Sequence, residues 1–198
     1  IYGSRGANGV IIVTTNRATD TEVSKMSYSG WVSVGKAAKN VDMLSADQWR
    51  DYVRKNEIFD AVDYGANTDW IKELEQAAIS HAHNFNISNS RKNSGYRAAA
   101  SYQANEGIVK HNYMNRLAGS LSAYQYGLNG KLKMDLGVNI TYDKYRAPDY
   151  GFYGIFNYAL NQNPTVPVKD EYGNYTRMGG TNMQNPVEYN DNYYSEQT

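Results

Sequence analysis

Residues 1–15 read IYGSRGANGVIIVTT, a loop with glycine at every third position running straight into a β-branched strand. Gly3, Gly6 and Gly9 permit backbone conformations that other residues enter at a cost. Val10-Ile11-Ile12-Val13 then asks for a strand buried on both faces. A glycine-rich loop invites a phosphate-binding reading, which the context rejects. The phosphate-cradling loop ends in Gly-Lys-Ser/Thr, and the dinucleotide fingerprint follows a strand and opens a helix. Neither setting is present.

Working outward, Asn16 to Ser24 is polar and mixed in charge, as a linker is. From Lys25 the period becomes two: Met26, Tyr28, Val32 and Val34 share a face with Gly30, opposite Ser27, Ser29 and Ser33. Trp31 breaks the polar face and is read as a packing residue. Alternation returns in four later segments, near 82–89, 95–104, 115–126 and 131–145. The last is the clearest: Leu132, Met134, Leu136, Val138, Ile140 and Tyr142 oppose Lys133, Asp135, Gly137, Asn139 and Thr141. Such rows fit membrane strands over a polar lumen, and a soluble sandwich gives the same period.

Connection lengths favour the barrel. They run long (36–79), short, moderate, short, then long (147–198), as outer-membrane barrels alternate brief periplasmic turns with larger outer loops. The first long loop predicts two short helices. Ser45-Ala46-Asp47-Gln48 is a capping box opening a helix to about Asn56, and Thr68 is read as the N-cap of a second, carrying Trp70, Leu74, Ala77 and Ala78.

Composition narrows the class. The 198 residues hold 20 Lys plus Arg and 20 Asp plus Glu, so no basic field gathers nucleic acid. Tyr occurs 19 times against four Phe, which suits a membrane interface or a sugar-contacting surface. Mean hydropathy is −0.70, low for a helical membrane protein and ordinary for alternating barrel strands. No run approaches the roughly 20 apolar residues of a helical span. The chain has neither an initiating Met nor a closing strand and reads as a fragment.

The string Tyr2-Gly3-Ser4-Arg5-Gly6-Ala7-Asn8-Gly9 followed by Val10 to Thr15 resembles the end of the plug domain in SusC/RagA-type TonB-linked outer-membrane transporters. Thr68-Asp69-Trp70, Ala77 to Ser88, Tyr96 to Tyr102 with Asn105 to Val109, and Asn161 to Tyr175 are similar to later parts of that family. Ser90 and Arg91 stand where the family is expected to carry glycine. The resemblance implies a plug end at 1–20 and the first part of a transmembrane antiparallel β-barrel at 21–198, all-β apart from the two helices in a loop. It implies TonB-dependent import of an oligosaccharide or oligopeptide across the bacterial outer membrane. The expected partners are a SusD/RagB-like surface lipoprotein, the TonB complex of the inner membrane, and outer-membrane lipid. Arg5 is the candidate for a plug-to-barrel ion pair.

Site chemistry in the residues themselves is sparse. His81 and His83 project to one face of a strand without the further ligands a metal needs, and His111 is read as solvated. No nucleophile-elbow arrangement appears, Asp170-Glu171 sits at a hairpin turn, and no cofactor is expected. Neither an enzyme nor a metal protein is implied. Tyr150, Phe152, Tyr153, Phe156 and Tyr158 are the candidate ligand-contact aromatics, because flat rings cover the apolar faces of sugars and peptide side chains. The alternative reading is a secreted or surface-attached β-sandwich that binds glycans without transporting them.

Overall fold

The computed structural model describes residues 24–151, 154–178 and 184–197. The plug-like stretch Tyr2 to Gly9, Arg5 included, and the aromatics Phe152 and Tyr153 lie outside the described residues.

Six strands form a single sheet in chain order: β1 (Lys25–Gly35), β2 (Ala78–Arg91), β3 (Ser94–Glu106), β4 (Tyr113–Gly127), β5 (Leu132–Pro148) and β6 (Tyr194–Gln197). An all-neighbour order is what a barrel wall shows when laid open. Among the described residues there is no second sheet for the apolar rows to pack on. On β5 the apolar row from Leu132 to Ile140 is solvent-accessible throughout, and so is the polar row behind it. In water, such a face would be an unusually large apolar patch.

The chain divides into two compact units. Among the described residues the first comprises 24–29, 84–100 and 118–140, and the second 30–83, 101–117, 141–151, 154–178 and 184–197. In the first unit Tyr124 lies over Gly95: a Cβ added there would stand 2.5 Å from the ring. Ser90 Oγ and the Tyr124 hydroxyl are 3.0 Å apart, so buried Ser90 has a partner that glycine would lack. The β4–β5 turn has Leu128 and Asn129 at φ of 49° and 55° before Gly130 at 86°, a left-handed path that costs Leu128 most.

The second unit carries α1 (Ala46–Lys55), α2 (Trp70–Leu74), α3 (Ile155–Asn161) and α4 (Pro186–Asn192). Its core joins Trp70, Ile71 and Leu74 to Val109, Ile155, Ala159 and Val166. Ser45 and Gln48 form the expected capping box at α1.

Two expectations are corrected here. The cap of α2 is Asp69, whose carboxylate accepts from Lys72 N, because the Thr68 hydroxyl is committed to Val166 O at 2.7 Å. The helix stops at Leu74 and does not reach Ala78. Glu75 bridges to Val109 and Gln76 N–H donates to Ile108 O at 2.8 Å, so a neighbouring segment takes the backbone groups that another helical turn would need. The long connection after Ala147 carries α3, α4 and β6, the last paired to β5 from Tyr145↔Gln197 to Pro148↔Tyr194.

Candidate functional site

The helix-bearing unit concentrates the aromatic side chains. Tyr150 stacks on Phe156 with ring centroids 5.9 Å apart and planes 18° from parallel. The Tyr150 hydroxyl accepts from Asn112 Nδ2 at 3.1 Å, and burial raises its pKa against that opposing hydrogen bond. Both rings stay partly open to solvent. A stacked pair with one oriented hydroxyl offers what a sugar or peptide ligand uses: an apolar plate and a directional polar edge.

Tyr158, the other described member of the expected set, takes part in a second group. It meets Tyr189 edge-on at 5.0 Å, and Tyr189 stacks on Tyr193 at 4.6 Å. Sequence reasoning missed Asn112 and Asp149 as site residues, while Tyr189 and Tyr193 belong to the tyrosine-rich tail that the composition singles out. The Gly107-to-Asn112 span was the available signal: a side chain at Gly107 would lie 2.4 Å from Asn112 Nδ2, so this tight turn presents Asn112 toward Tyr150.

The same turn corrects the reading of His111, which is not simply solvated. Held at φ of 65°, it places Nε2 2.8 Å from Asp191 Oδ1. Asp191 also accepts from the Tyr175 hydroxyl. Asp170 is a turn residue, its carboxylate accepting from the amides of Tyr172 and Asn174 at 3.0 and 2.8 Å; those bonds, chiefly from Asn174, hold its pKa below the usual value.

A cavity of about 770 Å³ opens beside α1, α2 and α3. Trp49, Asn67, Asp69, Asn161 and Asn163 contribute to its wall. Trp70 is fixed there by its indole N–H, which donates to Asn163 O at 3.0 Å. Among the described residues no group of three His, Cys, Asp or Glu is placed to hold a metal. No described helix is long and apolar enough to cross a membrane, which says nothing of a β-barrel.

No family model matches the chain. It is 34% identical over 184 residues to the TonB-dependent receptor SusC of Bacteroides thetaiotaomicron, covering 91% of this chain and 18% of that one. It is 30% identical over 201 residues to the TonB-dependent receptor P26 of Formosa agariphila, covering 94% and 20%. The chain thus spans about a fifth of the length of the curated relatives it matches. In fold it is similar to a chain of the RagAB peptide importer in its closed-closed state, with a TM-score of 0.69 at 19% identity over 95% of this chain and 26% of that one. A second RagAB peptide transporter structure gives a TM-score of 0.63 at 17% identity, covering 94% and 26%.

Proposed function

We propose, from the premise that this chain belongs to the SusC/RagA-type TonB-dependent outer-membrane receptors, that it forms the end of the plug and the first part of the barrel wall of an active importer. Residues 1–20 are assigned to the plug and 21–198 to the barrel, with the loops at 36–79 and 147–198 on the extracellular side. The cargo is a large nutrient, an oligosaccharide or oligopeptide. A SusD/RagB-like surface lipoprotein closes over the loops, and the TonB complex supplies energy from the inner membrane. The protein moves its ligand without chemical change.

One observation carries this reading: β5 presents a continuous apolar row on one face and an acid, a base, an amide and a hydroxyl on the other, with no second sheet among the described residues. Hydrocarbon outside and a wet lumen inside satisfy both faces at once. Within the lumen, Tyr2 to Gly9 supply the glycine-rich turn of the plug, and Arg5 is its candidate ion-pair partner to the wall. At the mouth, Tyr150 and Phe156 are the ligand-contact pair, and Phe152, Tyr153 and Tyr158 are assigned the same role.

The test is uptake by intact cells expressing the full-length receptor that carries this stretch. Labelled oligosaccharide and oligopeptide pools are offered with and without a functional TonB complex. Accumulation of one pool that disappears without TonB supports the account. Accumulation of neither pool, or uptake indifferent to TonB, overturns it.

A further inference from the structure

Helix α3 has two unlike faces. Ile155 and Ala159 are buried in the core, while Phe156 and Leu160 on the other side stay 38% and 41% exposed. Residues four apart lie on one helix face, about 6 Å from each other along the axis. Phe156 carries the stack with Tyr150. Leu160 lines the cavity of about 770 Å³ beside α1 and α2. The outward face of α3 therefore runs from the aromatic pair to the cavity, within one compact unit.

The cavity has the size of a small-ligand pocket, and its wall has a definite chemistry. Val41, Met43 and Leu44, just ahead of α1, are large apolar side chains left exposed, and all three line the cavity together with Leu160. Apolar exposure gathered in this way marks a binding surface, and methionine adapts its shape to varied side chains. Polar groups interrupt the rim. Asn67 Oδ1 accepts from Ala46 N at 3.1 Å and Asn161 Nδ2 donates to Asn157 O at 2.8 Å, which leaves the amide NH2 of one and the carbonyl of the other to meet a ligand. Lys72, the one cation of the described wall, is paired with Asp69 at 2.7 Å. Asp42, exposed on the same wall, makes no ion pair among the described residues.

We propose that this cavity receives the amino-terminal residue of an oligopeptide, with its aliphatic side chain among Met43, Leu44 and Leu160 and its ammonium at Asp42. A carboxylate without a cation of its own selects a positive group. A peptide carboxyl terminus or an acidic glycan finds no free cation there. Branched aliphatic side chains pack on an aliphatic rim, whereas the flat face of a sugar calls for aromatic rings. An extended peptide advances about 3.3 Å per residue with alternate side chains on one side. Two residues cover the rise from Leu160 to Phe156, so the third side chain reaches the Tyr150–Phe156 plate. The inference rests on the import reading above and narrows its cargo to the peptide class.

The test is calorimetric titration of the full-length receptor in non-ionic detergent with four probes: a pentapeptide with leucine first, phenylalanine third and alanine elsewhere, its N-acetylated form, its glycine-headed form, and maltopentaose. The free leucine-headed peptide is expected to bind, the glycine-headed form about tenfold more weakly. The acetylated form should bind about fivefold more weakly, the upper range for an exposed ion pair. Asp42→Asn, a change at an exposed position, should cost the free peptide the same fivefold and leave the acetylated one unaffected. Leu160→Ala should erase the preference for leucine over glycine. Failure of the free peptide to bind, equal binding of free and acetylated forms, an Asp42→Asn variant that still tells them apart, or tighter binding of maltopentaose overturns the proposal. TonB-dependent uptake of oligosaccharide by cells whose receptor ignores these peptides would sink this inference and leave the import reading standing, whereas uptake indifferent to TonB removes the import reading itself.

Discussion

The Tyr189 hydroxyl donates to Asp149 Oδ2 at 2.6 Å, tying α4 to the residue that follows β5. A seven-residue helix does not persist by propensity alone. This one is held by its neighbours: Asn190 Nδ2 donates to Lys110 O at 3.1 Å, Asp191 receives His111 and Tyr175, Glu188 pairs with Arg177, and the cap Asn185 donates to Val168 O at 2.8 Å. Three loops therefore converge on α4.

Tyr189→Phe keeps the ring contacts with Tyr158 and Tyr193 and removes only this tie. The expected cost is about 1 kcal/mol for a partly exposed hydrogen bond to a carboxylate. Hydrogen exchange of the α4 amides, followed in the full-length receptor, should accelerate about fivefold at that cost. Unchanged exchange would show that the helix does not depend on Asp149.

The same contacts set a pH dependence. Tyr189 is pushed up to about 12, first by its hydrogen bond to Asp149 and then by burial, and Tyr175 is pushed up to about 12 by Asp191 and burial. Folded values above the ordinary one near 10 mean that their stabilisation is complete below about pH 10 and is lost as pH rises toward 12. Asp149 works oppositely: the Tyr189 hydroxyl holds its pKa down, so its contribution is present above about pH 4 and fades as pH falls. Difference ultraviolet titration of wild type against Tyr189→Phe and Tyr175→Phe should each remove one tyrosine ionising near pH 12. Removal of one ionising near 10 contradicts the assignment.

At α1 the Ser45 hydroxyl accepts from Gln48 N at 3.3 Å, and Gln48 Oε1 accepts from Ser45 N at 2.9 Å. Ser45→Ala should cost the helix about 1 kcal/mol. The added loss in Ser45→Ala/Gln48→Ala should be smaller than the two single losses summed, because the bonds support each other. Exchange of the Gln48 and Trp49 amides reads this directly, and strict additivity would deny the coupling.

Gly95 lies beneath the Tyr124 ring, so Gly95→Ala forces the ring away and should cost about 1–3 kcal/mol as an overpacked contact. Shortening the ring in Gly95→Ala/Tyr124→Ala relieves the clash. The temperature at which the folded, heat-modifiable form of the receptor converts should drop for Gly95→Ala, and, because Tyr124→Ala by itself costs Ser90 its partner, the double variant should fall by less than the two single drops summed. A single variant equal to wild type contradicts the packing.

What could be read from the residues alone follows from how local each signal is. The apolar row from Leu132 to Tyr142 needs only the two-residue period, and Ser45 with Gln48 needs only spacing, so both were legible. Thr68 and Asp69 are equal cap candidates in sequence; Val166, nearly a hundred positions away, decides between them by accepting the Thr68 hydroxyl. The early end of α2 likewise depends on Val109. His111 finds Asp191 and Tyr150 finds Asn112 only once the chain has folded, and the alternation that marks strands carries no trace of α4, whose stability comes from other loops.

The central claim is that the odd and even residues of β5 meet different solvents. Single cysteines at Met134, Val138 and Ile140, and at Lys133, Asp135 and Asn139, spin-labelled in the full-length receptor in bilayers, measure this directly through collision with oxygen, which favours lipid, and with a water-soluble nickel complex. The account predicts oxygen-dominated relaxation at the first three positions and nickel-dominated relaxation at the other three. Equal accessibility on both faces, or the reverse pattern, would contradict it.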